Sequence, residues 1–478
     1  MSRRAAGRAR VVIMDTRIER DSMGEMEVPA GALYGASTQR AALNFPISGH
    51  RLPAPFIAAM ARIKGHAAAV NAELGLLGRD RAVRIAAAAA EVAADLHSAQ
   101  FPLDVFQTGS ATSSHTNVNE VIAHLANRGV EEEDRRVHPN DHVNRGQSSN
   151  DVVPSALHLS VALELRDTLG PALAHLAAAL EAKAAAWEGV IKIGRTHLMD
   201  ATPVTMGQVF SGYAAQVRKA EQRVGRAVAV LAELALGGTA VGTGLNSHPE
   251  FAARVCARLV ADTGLDLRRA ANPFEAQAAR DDVVEVAGQL MAVAAALSKV
   301  ANDIRWLGSG PRAGLAELRL PTTQPGSSIM PGKVNPVMSE MLVQVCLYVQ
   351  AQAQMVVAAG REGHFELNAT LPLMAFGLHE ALRTLASGAQ VFADRCVAGL
   401  EVDRERCADL VRRSLMLVTA LNPHLGYDRA AEVAKIAFAE GRTLREVVLE
   451  KGYLDAPTLD RVLDPASMLG PTSASPMG

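Results

Sequence analysis

Residues 326–336 read Gly-Ser-Ser-Ile-Met-Pro-Gly-Lys-Val-Asn-Pro. Two hydroxyls, an ammonium and an amide stand between Gly326, Pro331, Gly332 and Pro336, which bar a regular helix through the segment. Such a loop, set between long helical stretches, can close over a small anion. Ser327 or Ser328 can exchange a proton with carbon while Lys333 and Asn335 hold a carboxylate. The plainer reading of any Gly/Pro/Lys loop is a connector with a solvated lysine. A phosphate cradle does not fit: five residues separate Gly326 from Gly332-Lys333, and Val334 follows where a magnesium-binding hydroxyl is needed. Gly242-Thr-Gly244 likewise lacks the third glycine of a dinucleotide fingerprint, so no nucleotide site is expected.

Three more polar islands interrupt the chain. The first is Thr108-Gly-Ser-Ala-Thr-Ser-Ser-His-Thr-Asn117, placed before a helix, where hydroxyls and free N–H groups make an anion site. The second is His138-Pro-Asn-Asp141 followed by Gln147-Ser-Ser-Asn-Asp151, also ahead of a long helix. The third, Gly194-Arg-Thr-His-Leu-Met-Asp-Ala-Thr-Pro203, puts Thr196 and His197 in a turn. Each alone reads equally well as a helix cap or a structural histidine.

The elements that must position these islands are long helices. Patterns run over 56–75, 80–98 and 118–127, then 155–187, 206–236, 276–308, 337–360 and 372–398, with Gly170-Pro171 expected to kink or divide the first rod. Residues 15–50 are broken by Gly, Pro and Asn and are expected to hold a strand or hairpin. Short helices are expected near 405–416, 428–440, 443–450 and 457–464. The boundaries this predicts are a disordered extension over 1–14, a mixed domain over 15–150, a long-helix bundle over 151–404, and a small helical domain with a loose tail over 405–478. Rods apolar on much of their circumference call for a bundle buried further by self-association.

Composition narrows the function. Of 478 residues 49% are hydrophobic, ample for a large core, and only 4% are aromatic, which favours close packing through small side chains. The net charge of −2 supplies no field for nucleic acid or an anionic membrane. No run of about 18 uncharged apolar residues was found to mark a membrane span, and no apolar segment near the N-terminus reads as a secretory signal. Cys256, Cys346, Cys396 and Cys407 are scattered, which suits a reducing cytoplasm, and no histidine spacing fits a metal. No cofactor is implied.

Together, in this order, the islands resemble the fumarase/aspartase superfamily, and class II fumarases most closely. Asp21-Ser-Met-Gly24, Gly237-Gly-Thr-Ala-Val-Gly-Thr-Gly-Leu-Asn246, Phe274-Glu-Ala-Gln277 and Ala301-Asn-Asp-Ile-Arg-Trp-Leu-Gly-Ser-Gly-Pro311 extend the likeness over nearly the whole chain, and the 326–336 loop is the family signature. The resemblance implies a mainly α, three-domain fold with a central long-helix bundle, and a homotetramer whose active sites combine three subunits. It implies fumarate hydration in the tricarboxylic acid cycle. By matching motif, Ser327 is the catalytic serine, His197 the catalytic histidine and Glu340 its carboxylate partner. Ser110, Thr112, Ser148, Ser149, Asn150, Thr196, Ser328, Lys333 and Asn335 would bind substrate. Arg135, His138, Asn140 and Asp141 would form a second dicarboxylate site.

The chain also departs from that pattern. Where the family reads Gly-Ser-Gly-Thr and then Asn-Met-Asn, this chain has Ala111, His115 and Thr116, which makes His115 a further candidate at the substrate. Ala351-Gln352-Ala353, His364 and Arg413-Ser-Leu-Met416 are other departures. They keep two alternatives open: a carbon–nitrogen lyase acting on aspartate or an N-substituted aspartate, and an inactive structural paralogue.

Overall fold

The computed structural model describes residues 15–471, so the expected disordered extension lies outside the described residues, as does the end of the expected tail. In chain order the elements are β1 (Thr16–Asp21), β2 (Gly24–Pro29), α1 (Ala36–Asn44), α2 (Ala54–Glu73), α3 (Arg79–Ala93), α4 (Thr112–Ala126), α5 (Ser149–Glu164) and α6 (Gly170–Ala186). There follow β3 (Ile191–Thr196), β4 (Met199–Thr205), α7 (Met206–Val230), α8 (Phe251–Thr263), α9 (Pro273–Ala278), α10 (Asp281–Leu307), α11 (Val337–Gly360) and α12 (Leu371–Phe392). The chain closes with α13 (Arg404–Arg413), α14 (Asn422–Leu425), α15 (Tyr427–Glu440), α16 (Leu444–Glu450) and α17 (Ala456–Val462). Two compact units result. One comprises residues up to Gly170 with Arg223–Met291 and Tyr348–Thr384; the other comprises Pro171–Gln222, Ala292–Leu347 and the chain from Leu385.

In the first unit, β1 and β2 form the expected hairpin, antiparallel from Thr16↔Pro29 to Asp21↔Gly24. Arg17 fastens it by donating to the carbonyls of Pro29, Ala30, Ala32 and Tyr34. Helices α2, α3, α4, α5 and α8 surround a core in which Phe56, Met60, Ile63, Ile85, Ile122, Leu157 and Leu159 are fully buried. Small residues let the helices approach closely: a Cβ added at Gly65 would lie 3.2 Å from that of Ala89. The α4 helix begins at Thr112, earlier than the apolar pattern predicts, because the N–H of His115 already closes a helical turn on Ala111. The rod from Ser149 does not break at Gly170-Pro171. It widens by one residue over Leu165–Leu169 and resumes at Gly170 as α6, with Pro171 directly after the widened turn.

In the second unit, Trp187 packs edge-on to Phe210 at 4.8 Å, beneath the hairpin of β3 and β4. The C-terminal helices enclose their own apolar cluster, built from residues such as Leu421, Val433, Val448 and Leu459 together with Ile193 of β3. Two rods, α10 and α11, are long and apolar enough by length and composition alone to cross a membrane. Both are interrupted by polar side chains, Lys299 and Asp303 in α10 and Gln350, Gln352 and Gln354 in α11. Only 44% and 28% of their apolar windows are buried within one chain.

Gly207 is the tightest helix contact of the second unit's hairpin region. A Cβ there would meet the carbonyl of Ala184 and the Cα of Glu188, each at 2.6 Å, and backbone cannot swing aside as a side chain can. Gly207→Ala is expected to destabilise the protein by about 1–3 kcal/mol, read as a lowered denaturant midpoint at unchanged slope.

Candidate active site

The first two islands converge in the first unit. Thr112 Oγ1 lies 2.7 Å from Ser110 Oγ and 2.7 Å from Ser149 Oγ. Thr112 is exposed and the two serines beneath it are buried, so the three hydroxyls form the floor of an opening. Ser148 caps α5 in a capping box with Asp151. The Asp151 carboxylate accepts from the N–H of Ser148 at 2.9 Å and from those of Gly237 and Thr239, both at 3.0 Å. It thereby ties the second island to the 237–246 segment, and Asn150 adds a bond from its amide to the carbonyl of Ala240 at 2.9 Å. Asp151 is wholly buried, and burial pushes its carboxyl up to about 6 against the pull of those three donors.

Lys64 is also wholly buried, and no motif singled it out. Its Nζ lies 2.9 Å from His115 Nε2, 3.3 Å from Asn144 Oδ1 and 3.5 Å from Gln147 Oε1. It therefore braces α4 against the segment leading into Ser148. Burial, and then the Lys64 charge, hold His115 well below the usual histidine range. The imidazole is thus neutral, and the cationic side chain beside it is Lys64. One signal was available, since Lys64 occupies the helical stripe shared by the buried Met60, Ile63, Ala67 and Asn71.

The other two islands lie in the second unit. Strands β3 and β4 pair from Ile191↔Thr205 to Thr196↔Met199, leaving His197 and Leu198 as a two-residue turn. Both adopt positive φ, 55° and 63°, without the Gly or Asn that such a turn favours, at a cost of about 1 kcal/mol each. The hairpin is anchored at its base by Glu317, wholly buried, which Arg195 grips through two bonds of 2.8 and 3.2 Å and Lys192 approaches at 3.4 Å. Thr196 and His197 are left exposed.

The 326–336 loop folds on itself. The N–H of Ser327 donates to the carbonyl of Lys333 at 3.0 Å, and Lys333 Nζ donates to Asn335 Oδ1 at 2.7 Å. Ser327 Oγ accepts from the N–H groups of Ile329 and Met330, at 3.3 and 3.1 Å. Two donors on one hydroxyl oxygen favour its anionic form. Ser328 and Lys333 are exposed, and Ser327, Asn335 and Glu340 are half-buried. Among the described residues, no hydrogen bond or ion pair within the chain joins His197 to Glu340.

Comparison with known proteins decides the family. A lyase family model matches residues 24–351 and a model of the fumarase C C-terminus matches residues 417–470. The class II fumarate hydratase of Methylorubrum extorquens is 51% identical over 463 residues, 96% of this chain and 98% of that one. That of Mycobacterium tuberculosis is 52% identical over 457 residues, 95% of this chain and 96% of its own. The crystal structure of class II fumarase from Schistosoma mansoni superposes with a TM-score of 0.93 at 38% identity, covering 95% of this chain and 99% of that one. The chain belongs to the class II fumarase family. A Brucella melitensis fumarate lyase:delta crystallin structure, bound to cobalt, is similar too, with TM-score 0.92, 42% identity and coverage of 96% and 100%.

As a class II fumarase, the chain makes its first-island departures intelligible. Ala111 sits at φ 56°, a conformation suited to the glycine of the family pattern. His364 lies exposed in a small hairpin pairing Gly363–His364 with Leu367–Asn368. Of the second-site candidates, His138 and Asp141 line an open cavity of about 570 Å³ that also holds Arg17, Arg81 and Arg136 with the carboxylates Glu19, Glu120 and Glu133, while Arg135 and Asn140 do not line it. His138 Nδ1 accepts from the N–H groups of Asn140 and Asp141 at 3.3 and 3.1 Å, and Arg135 faces Asp80 and Glu132 at 3.7 and 3.6 Å.

The raised carboxyl of Asp151 gives a sign to test. Between about pH 4 and pH 6 the folded protein holds a proton there that the unfolded chain has released. The stability Asp151 contributes is therefore greatest at the acid end and falls as pH rises through that window. Asp151→Asn is expected to flatten this part of the stability profile, measured by denaturant midpoints across it.

Proposed function

We propose that the chain catalyses the reversible hydration of fumarate to malate, by anti addition and elimination through an aci-carboxylate intermediate. The observation that carries the mechanism is Ser327, whose Oγ receives two backbone N–H groups inside the loop that bears Lys333 and Asn335. In the malate-to-fumarate direction the Ser327 alkoxide takes the C3 proton. The electron pair left on C3 moves into the adjacent carboxylate, giving a dianionic aci-carboxylate. Lys333, Asn335 and the loop N–H groups meet that charge. The pair then returns to form the C2–C3 double bond as the C2 hydroxyl leaves, protonated as water through His197. Ser110, Thr112, Ser148, Ser149, Asn150 and Thr196 orient the carboxylates and the hydroxyl. Relatives about half identical over nearly the full chain are fumarate hydratases. Neither the carbon–nitrogen lyase nor the inactive paralogue draws comparable support.

The proposed site is completed by other copies of the chain in a homotetramer, each site drawing on three subunits. Three observations support this. The hairpin tip is open, with Leu198 71% and Met199 69% exposed; Ile329 in the signature loop is 82% exposed; and the apolar faces of α10 and α11 lack cover within one chain. Glu340 is proposed to reach His197 across such an interface. His138 and Asp141 are proposed to serve a peripheral dicarboxylate site whose arginines supply the counter-charge.

Purified protein is expected to interconvert malate and fumarate without added metal or nucleotide, followed by the absorbance of the fumarate double bond. Turnover of aspartate with none of malate would overturn the reading. Ser327→Ala is expected to lower kcat by about 10²–10⁴-fold while leaving the fold intact, because the side chain is a half-buried loop hydroxyl. Sedimentation is expected to show a tetramer at micromolar concentration, and an active monomer would refute the shared site.

A further inference from the structure

A lysine without solvent contact is costly unless it is given something to hold. Lys64 Nζ has three donors and finds three uncharged acceptors: His115 Nε2, Asn144 Oδ1 and Gln147 Oε1. The acidic group acting on it is Asp151 of α5, by charge rather than by hydrogen bond. The other helices packed on α2 do not neutralise it: Asp262 of α8 pairs with Arg62 and His66, and on α3 Asp80 pairs with Arg84. An ammonium can donate to His115 Nε2 only if that nitrogen is bare, which places the imidazole proton on Nδ1. Among the described residues Nδ1 has no hydrogen-bond partner within the chain, and His115 keeps 3% of its surface exposed. His115 stands one helical turn beyond Thr112, on the face that carries the Ser110–Thr112–Ser149 hydroxyls.

We propose that Lys64 is a positioning residue that makes His115 a specificity determinant, fixing its imidazole as an Nδ1–H donor to a substrate carboxylate held over the first island. The proposal rests on the fumarase reading and deepens it. It also accounts for the departure at this position. The asparagine of the family pattern offers one acceptor and one donor on a neutral amide, and an imidazole held neutral by Lys64 offers the same pair. Burial brings Lys64 down to about 7. Below that pH the ammonium donates and Nδ1–H faces the substrate. Above it, the amine accepts from Nε2–H and Nδ1 turns a lone pair towards the carboxylate. Binding of a dianion therefore weakens as pH rises through the Lys64 titration.

The test uses succinate, a dicarboxylate with no double bond to hydrate and no hydroxyl to lose. Its dissociation constant is measured by calorimetry on the intact oligomer from about pH 6 to about pH 8.5, where both carboxyls are ionised for most of the range. The wild-type constant is expected to rise about tenfold across that range, the weight of one hydrogen bond to a charged group. In His115→Asn, whose amide has no tautomer to exchange, it is expected to stay near the wild-type acid-side value throughout. In Lys64→Met, of similar length and uncharged, it is expected to stay flat at the weak, alkaline value, with KM for malate raised more than kcat is lowered. A wild-type profile with no step overturns the proposal, as does a step that survives in either variant. If Lys64→Met fails to fold, His115→Asn decides alone. Calorimetry needs no turnover, so a protein that binds succinate with the expected step but leaves malate unchanged would defeat the fumarase reading and not this one.

Discussion

Asp151 has no contact with solvent, and its two oxygens take the N–H groups of Ser148, Gly237 and Thr239. One carboxylate thereby fixes the start of α5 and the 237–246 segment with respect to each other. The hydroxyls of Ser148 and Ser149 and the amide of Asn150 inherit their positions from it. The second unit repeats the device with Glu317, buried under the β3–β4 hairpin and gripped by Arg195 and Lys192. A buried carboxylate is costly to desolvate, and removing one partner of such a group typically costs about 3–5 kcal/mol. Alanine-rich helices supply few large side chains to lock a loop by packing. Charge satisfied by backbone N–H or by a bidentate arginine does that job at both places.

Five of the eight non-glycine residues at positive φ among the described residues lie at these segments. Ala111, His197, Leu198, Thr239 and Asn246 all adopt positive φ without being glycine. Each lies in or beside a polar island, or in the segment that Asp151 ties down. Backbone held in such conformations persists only where its surroundings over-determine it. In the hairpin the over-determination comes from Glu317 below the turn. At Ala111 it comes from the carbonyl of Thr108, which accepts the Ala111 N–H at 2.7 Å, and from the first turn of α4.

Much of this was legible in the sequence because it is local. The long rods announced themselves by apolar period and by the absence of breakers, and α11 spans the residues the pattern marked out. The signature loop was legible because Gly, Pro, Lys and Asn occur there at a spacing that few other loops share. Short α1 was not read, since a helix of modest length in Gly- and Asn-broken sequence carries little periodic signal, and α8 was not read although its apolar residues recur at helical spacing. The buried network was not read either. Lys64 meets His115 across 51 residues and Arg195 meets Glu317 across 122, and single-sequence pattern contains no term for such pairings. His115 shows the consequence: its departure from the family pattern was visible in the sequence, but the lysine that holds its ring neutral was not.

The proposed shared site would draw the Ser110–Thr112–Ser149 hydroxyls and the Ser327 loop from different copies of the chain. Complementation tests it most directly. Thr112→Val and Ser327→Ala, each inactive alone, would be co-expressed with different affinity tags and the mixed oligomer isolated through both. Recovery of fumarate formation in the mixed species, absent from either parent, is the predicted result. Mixed oligomers that form normally yet stay as inactive as the parents would contradict the account.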